Sequence, residues 1–126
     1  MELKKVLLLD NVEMFSKILK KNFQEFEVFL ASKSEDAIAI ANEHKIDLII
    51  VSGFSTEETG FDLAKKFRRT KLTNTIPIIM ISSIIDENLV VQAFESGVNS
   101  FIKKNHFIED LKEVLKNFQA HGTSAF

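Results

Sequence analysis

The sequence predicts an α/β protein with a doubly wound, five-stranded parallel sheet and helices on both faces. Short apolar runs alternate five times with amphipathic segments along the chain. Continuous apolar runs are typical of strands that are buried on both faces. The alternation implies parallel strands joined by right-handed helical crossovers. A length of 126 residues suits one domain, which we place at residues 1–120, followed by a flexible tail over residues 121–126.

Five runs predict the strands. They span residues 6–9, 26–30, 47–52, 77–83 and 100–103. The first, third and fourth are continuously apolar and indicate central strands, whereas the second contains Glu27 and is weaker. The only proline, Pro77, begins the fourth run, where a missing backbone N–H is tolerated best.

The helices are predicted from apolar residues that recur at helical spacing. They carry Met14, Phe15, Ile18, Leu19 and Phe23; Ala37, Ile38 and Ala41; Phe61, Leu63, Ala64 and Phe67; Leu89, Val90, Ala93 and Phe94; and Phe107, Leu111, Val114, Leu115 and Phe118. Two local signals mark helix ends. The Ser-Lys-Ser-Glu sequence at residues 32–35 predicts a capping box that opens the second helix. Gly97 stands where a C-terminal cap would close the fourth.

Charge and composition exclude several classes of function. A net charge of −2 argues against a general nucleic-acid surface. One basic run is interpreted as the solvated face of the third helix and its end: Lys65, Lys66, Arg68, Arg69 and Lys71. The chain has no cysteine for a thiolate metal site, and its histidines lack ligand spacing. No apolar stretch approaches the ~18–20 residues that cross a bilayer. We therefore expect a cytoplasmic protein that binds neither nucleic acid nor membrane.

In doubly wound sheets the functional site lies beyond the carboxyl ends of the strands. The polar residues at these ends are Asp10, Asn11, Ser52, Ser82, Ser83 and Lys104. Asn11 also suits the N-cap of the first helix, and Ser83 suits a loop or cap. Lys104 is either a surface lysine or, as we prefer, a lysine that reaches across the site toward Asp10.

Taken in chain order, these strand-end residues resemble the site residues of two-component response-regulator receiver domains. The resemblance covers roughly residues 4–118. The resemblance sets Asp10 and Asn11 at the family's acidic pair, Ser52 at the phosphoacceptor aspartate, Ser82 at the Ser/Thr position, Phe101 at the switch aromatic and Lys104 at the lysine. The segments PIIMISS, GVNSFIKKN and Gly-Phe-Asp-Leu at residues 60–63 also resemble the family. The resemblance implies a (βα)5 flavodoxin-like receiver fold.

The departures from the family pattern concern its phosphorylation chemistry. In the family an aspartate attacks a phosphoryl group beside Mg²⁺, which needs carboxylate ligands. Ser52 is a poor nucleophile without a nearby base, so it is either an inert strand-end residue or a modified or hydrogen-bonding switch residue. Asn11 replaces the second acid and leaves Asp10 as the one residual ligand. We therefore expect no catalytic residue, no cofactor and weak or absent Mg²⁺ binding.

Two further departures replace prolines of the family pattern. Asn105 follows Lys104, so we predict a trans peptide bond between them, because cis costs ~2.5–4 kcal/mol without proline. Thr56 stands where a loop proline is usual.

These features predict a signalling module, not an enzyme, that acts by phosphorylation-independent protein–protein interaction. By resemblance its output surface is the fourth helix, fifth strand and fifth helix. The expected partner is a histidine kinase or a downstream signalling protein, and the domain is expected to be a monomer or weak dimer. One alternative is a small-molecule-binding or enzymatic doubly wound domain, although GxGxxG, GxxxxGK[ST] and GxSxG motifs are missing. Another is the receiver part of a longer DNA-binding or other output regulator.

Overall fold

The computed structural model describes residues 3–10, 13–53 and 58–121. Its elements are β1 (Lys5–Leu9), α1 (Glu13–Asn22), β2 (Glu27–Ala31), α2 (Ser34–Glu43), β3 (Leu48–Ser52), α3 (Gly60–Arg69), β4 (Ile78–Ser82), α4 (Glu87–Glu95), β5 (Ser100–Lys103), a 3₁₀ turn (Lys104–His106) and α5 (Phe107–His121). All strands are parallel, in the order β2-β1-β3-β4-β5. The predicted fold class is confirmed.

Two hydrophobic clusters hold the helices on opposite faces of the sheet. Successive strand residues point to opposite faces, so Leu8 packs with α1 and α5 while Leu7 and Leu9 pack with α2, α3 and α4. The central strands β3 and β4 are buried along their whole length, as their continuous apolar runs predict. The edge strand β2 is only partly covered, and Leu30 is 44% exposed.

The predicted capping box at the start of α2 is wrong. The helix begins at Ser34, and its N-cap residue, Lys33, makes no side-chain capping bond. Instead Glu58, which precedes α3, accepts hydrogen bonds from the Ser34 backbone N–H at 2.8 Å and hydroxyl at 3.0 Å. Lys66 of α3 forms an ion pair with the same carboxylate. A carboxylate at a helix N-terminus satisfies its free N–H groups and complements the helix dipole, and a distant residue can supply it.

The interpretation of the basic run as solvated is wrong for Arg68. Its guanidinium is half-buried and donates hydrogen bonds to five oxygen atoms, which lie in the α3–β4 and α4–β5 connections. The shortest go to the carbonyls of Ile76 at 2.8 Å and Gly97 at 2.9 Å and to the side chain of Asn99 at 2.8 Å. Arg68 therefore ties α3 to the start of β4 and to the end of α4. Its neighbours Lys65, Arg69 and Lys71 are exposed, as predicted.

Gly97 closes α4, as predicted. Its φ of 105° lies in the left-handed region that favours glycine. The backbone N–H groups of Val98 and Gly97 donate to the carbonyls of Ala93 and Phe94, both at 3.1 Å, which satisfies the last turn of the helix.

The last helix, α5, continues to His121, the first residue of the predicted tail. Residues 122–126 of the predicted tail lie outside the described residues. Among the helices that the structure describes, none combines the length and apolar character needed to span a bilayer.

Candidate functional site

Four adjacent strand ends converge at one edge of the sheet. Leu9 pairs with Val51, Ser52 with Ile81, and Ser82 with Lys103, so β1, β3, β4 and β5 end almost level. Three of the predicted site residues are buried at this edge: Asp10 is 7% exposed, Ser52 3% and Ser82 4%. Lys104 follows β5 at the same edge. The structure thus brings together Asp10, Ser52, Ser82 and Lys104. Asn11 and Thr56 lie outside the described residues.

Lys104 reaches into this pocket instead of lying on the surface. Its Nζ is 3.9 Å from Oδ2 of Asp10, whose side chain is 0% exposed. The same Nζ lies 4.8 Å from the centroid of the Phe15 ring, within the range of a cation–π contact. The predicted pairing with Asp10 is therefore present. The aromatic contact was not predicted, because helical spacing marks Phe15 only as a core residue.

The Phe15 ring is in turn positioned by an aromatic contact with Phe107. Its ring centroid lies 4.5 Å from that of Phe107, with the planes at 68°, an edge-on arrangement. Phe107 is the first residue of α5, directly after the 3₁₀ turn that carries Lys104. The turn and the aromatic pair together direct Lys104 inward while Asn105 remains exposed. No cis peptide bond occurs in the described ranges, so the Lys104–Asn105 bond is trans, as predicted.

Ser82 is fixed by the connection from β4 to α4. Its Oγ accepts a hydrogen bond from the backbone N–H of Ile84 at 3.1 Å, a local turn typical of serine. Gly53 packs beside it: a Cβ atom at Gly53 would lie 3.5 Å from both Cβ and Oγ of Ser82. The Gly53 N–H also donates to the carbonyl of Ile81 at 2.9 Å. The hydroxyl of Ser82 is thus part of a tightly packed strand end.

Gly60 explains why α3 begins where it does. A Cβ atom there would lie 2.7 Å from the carbonyl oxygen of Ser52 and 2.8 Å from Cε of Met80. The Gly60 N–H donates to the carbonyl of Gly53 at 3.0 Å. The start of α3 therefore packs directly against the end of β3, a distance that only glycine permits.

Phe101 lies on β5 opposite Met80 of β4, and β4 separates its strand from β3, which carries Ser52. Its side chain is partly buried and packs on the cluster formed by α2, α3 and α4. It is therefore positioned beside the helix layer that contains α4.

The described pocket residues do not fit a resident Mg²⁺ ion. Mg²⁺ demands near-octahedral coordination by oxygen ligands, among which carboxylates supply the balancing negative charge. Here one carboxylate, Asp10, lies beside the Lys104 ammonium, and the other described groups are the hydroxyls of Ser52 and Ser82. In the described ranges no group of three or more His, Cys, Asp or Glu is placed to hold a metal.

The strand order and the acid, hydroxyl and lysine side chains at the carboxyl edge define a flavodoxin-like domain of the kind used in two-component signalling. A model of the response regulator receiver domain family matches residues 6–116, and the chain belongs to that family.

Relatives agree with this assignment. The phosphate regulon transcriptional regulatory protein PhoB of Pseudomonas aeruginosa is 30% identical over 95 residues, which cover 72% of this chain and 42% of PhoB. The transcriptional regulatory protein SrrA of Staphylococcus aureus is 31% identical over 101 residues, which cover 79% of this chain and 41% of SrrA. A two-component response regulator from Clostridium difficile matches with a TM-score of 0.82 at 27% identity, covering 94% of this chain and 97% of that one. The chain spans about two fifths of the curated relatives it matches.

Proposed function

We propose that this receiver domain works as a pseudo-receiver, a binding module whose output does not depend on phosphorylation of an aspartate in its pocket. The observation that supports the proposal is that the last residue of β3 is a serine, Ser52. It ends β3, where the family places its phosphoacceptor, and it is only 3% exposed.

The chemistry of Ser52 supports this proposal. A hydroxyl needs a base to become a nucleophile, and the described carboxylate of the pocket, Asp10, lies beside the Lys104 ammonium. A phosphoserine would be a stable ester and not the labile acyl phosphate of ordinary receivers. The phosphorylation switch of the family therefore lacks its chemical trigger here, and Mg²⁺ binding is weak or absent.

The charge balance of the pocket also supports the proposal. An ordinary receiver pocket collects carboxylates whose repulsion demands a counterion. In this chain one buried carboxylate faces one ammonium at 3.9 Å. The pair is neutral without a metal, so the pocket does not need a cation to offset its charge.

The output surface that we propose is the face formed by α4, β5 and α5, with Phe101 as the aromatic residue that responds to binding. On this face Val91 and Phe94 are 49% and 44% exposed. The partner is a protein, either a histidine kinase or a downstream signalling protein in the cytoplasm. Any switching comes from a partner that binds one conformation better than the other, because a ligand shifts two states only by its difference in affinity.

The proposal is tested by partner capture with the intact protein, with and without acetyl phosphate and Mg²⁺. The same partner is expected in both conditions. A Phe94→Ser variant should lose that partner, whereas Leu72→Ser, at a residue with similar exposure on the α3–β4 connection, should keep it. A partner that binds only after acetyl phosphate treatment would contradict the proposal.

A second candidate is that the chain is the receiver part of a longer transcriptional regulator. The observation that favours it is that PhoB and SrrA are more than twice as long as the segment they share with this chain. In that case the α4 face would contact an output domain, and detection of the full-length protein by its mass in cell extracts would decide the matter.

A further inference from the structure

The outer edge of β2 is open, because β2 ends the sheet and pairs with β1 alone. The Glu27 N–H donates to the carbonyl of Lys4, on the β1 side, at 2.7 Å. Alternate residues of a strand direct their backbone groups to opposite sides, so those of Val28 and Leu30 point away from β1. In the part of the chain that the structure describes, no other segment pairs with these two residues. They present N–H and C=O groups with which a further strand can pair.

β2 lacks the features that usually protect an edge strand. Such strands are commonly very short or bulged, or they contain lysine or proline, which discourages further pairing. β2 has five residues, no lysine and no proline, and its register with β1 is unbroken from Glu27 to Ala31. Leu30 is also exposed. The other edge strand, β5, has four residues and ends in the exposed Lys103. Further pairing is therefore favoured at β2.

We propose that β2 pairs in antiparallel orientation with β2 of a second copy of this chain, which joins two sheets into one. A two-fold axis relates the copies, so the same surface is used on both. Phe29 then lies opposite its counterpart in the second copy, and Val28 lies opposite Leu30. Val28 and Leu30 exchange N–H···O=C bonds across the seam, because both direct their backbone groups outward. All five residues of each strand are paired in this register.

The side chains also match in this register. Val28 packs against the cluster that contains α1 and α5, and Leu30, two residues on, faces the same side of the sheet. The exposed Leu30 side chain therefore packs on Val28 of the second copy. Phe29 faces the other side, where it is only partly buried, and forms an aromatic cross-strand pair with its counterpart. Pairing thus covers apolar surface on both faces of the sheet.

Charges at the two ends of β2 favour the antiparallel direction. Glu27 begins the strand, and Lys33 follows it in extended backbone; both are exposed. Glu27 lies diagonally across from Lys33 of the second copy, within reach of a long side chain. Glu35 and Asp36, in the first turn of α2, offset part of this attraction. Backbone pairing and apolar contact are therefore the main contributions, and the ion pairs add direction.

The helices beside β2 leave room for the second copy. α1 connects β1 to β2 and packs on β2. Across the seam the two α1 helices lie two strand spacings apart, about 10 Å, which is the separation of packed helices. They run antiparallel, so their basic last turns, with Lys20 and Lys21, lie at opposite ends of the seam. The inference goes beyond the proposed function, because the α4–β5–α5 face lies at the far edge of each sheet and stays free.

Sedimentation velocity of the intact protein across a wide range of concentration measures the pairing. A concentration-dependent dimer is expected. Leu30→Lys places a charge in the seam and should raise the dissociation constant by about tenfold or more. Val91→Lys is the matched control, since Val91 is an equally exposed apolar residue on α4, and it should leave the dissociation constant unchanged. Unchanged thermal unfolding verifies that each variant is folded.

Disulfide formation tests the register. The chain has no cysteine, so a single introduced cysteine reports one position. Opposed residues of a non-hydrogen-bonded antiparallel pair have Cα atoms about 4.5 Å apart, within the range that a disulfide spans. Phe29→Cys should therefore form a disulfide-linked dimer under mild oxidation. Leu72→Cys, at an exposed residue on the α3–β4 connection, should not.

A dimer that Leu30→Lys leaves unchanged, or a protein that stays monomeric at every concentration, would overturn the proposal. So would a dimer lost in Val91→Lys alone, because α4 would then hold the copies together. Open-ended oligomers would also contradict it, since a two-fold pair is closed. Absence of the disulfide in a folded, dimeric Phe29→Cys variant would show that the strands are not paired as proposed.

Discussion

The ammonium of Lys104 lies 3.9 Å from the carboxylate of Asp10, whose side chain is fully buried, and 4.8 Å from the centre of the Phe15 ring. The lysine is thus a partly exposed cation held between a buried acid and an aromatic face. A charge that balances a buried acid is costly to remove, because the remaining charge is left without compensation. This relationship makes the strand-end pocket a structural element that can be tested by stability measurements.

Lys104→Ala is expected to lower the free energy of unfolding by about 1–3 kcal/mol, the cost of leaving a buried polar group poorly compensated. Asp10→Ala should have a smaller effect in the Lys104→Ala background than in the wild type, because the two residues interact. Chemical denaturation of the four proteins measures this coupling. Lys103→Ala is the matched control, since Lys103 is exposed on the adjacent position. Strictly additive effects of the two substitutions would show that the pair does not stabilise the fold.

Arg68→Met is expected to destabilise the fold by about 2–3 kcal/mol, because several carbonyl groups lose their donor at once. Arg69→Met is the control, since Arg69 is exposed and adjacent in sequence, and it should change stability by no more than about 0.5 kcal/mol. Urea unfolding of both variants provides the comparison. Similar effects of the two substitutions would mean that the hydrogen bonds of Arg68 to the end of α4 contribute little.

Glu58 gives a prediction for pH dependence. Burial alone would raise the pKa of Glu58, but hydrogen bonds from Lys66 and Ser34 outweigh burial and lower the pKa below its ordinary value of 4.5. The ionised carboxylate is therefore favoured in the folded state, so its contribution is complete above the unfolded pKa and is lost as pH falls through the folded pKa. Glu58→Gln should cost about 1 kcal/mol near neutral pH, the scale of a helix cap.

The difference in stability between wild type and Glu58→Gln should then shrink in acid, below the ordinary pKa of 4.5. Thermal unfolding across a series of acidic buffers measures this difference. Asp62→Asn serves as the control, because Asp62 is an exposed acid on the neighbouring helix. A difference that stays constant down to strongly acidic pH would show that the charge of Glu58 does not cap α2.

Mg²⁺ provides a test of the pocket. Millimolar Mg²⁺ should raise the melting temperature of the wild type by about a degree or less, because a cation stabilises only in proportion to its binding to the native state. The double variant Ser52→Asp with Asn11→Asp should be less stable without Mg²⁺ and regain stability when it is added, since like charges in a shared site demand a counterion. A clear saturable shift of the wild type would mean that the pocket is a metal site.

The fold could be predicted from the sequence because the hydrophobic residues of each strand or helix recur at the spacing typical of that element. The continuous apolar runs of β1, β3 and β4 and the spacing of Phe61, Leu63 and Phe67 identify strands and helices without reference to the rest of the chain. The positions of Asp10, Ser52, Ser82 and Lys104 followed from the same pattern, because parallel strands end at a common edge.

What could not be predicted depends on contacts between distant residues. Glu58 caps a helix that begins 24 positions earlier in the chain, whereas the local Ser-x-x-Glu pattern at residues 32–35 predicts a cap from within that segment. Arg68 lies in a run of basic residues, and only the return of the chain at residues 73–76 and Gly97 places oxygen atoms around it. The contact of the Phe15 ring with the Lys104 ammonium also joins residues that are distant in the sequence.

The most direct test of the central claim is incubation of the protein with acetyl phosphate and Mg²⁺, followed by measurement of acid-labile phosphate and of the intact mass. The wild type is expected to remain unmodified, because Ser52 and not aspartate ends β3. The Ser52→Asp, Asn11→Asp variant, analysed in parallel, tests whether the pocket gains the reaction when the family's acids are restored. Incorporation of acid-labile phosphate by the wild type at a rate like that of ordinary receivers would contradict the account.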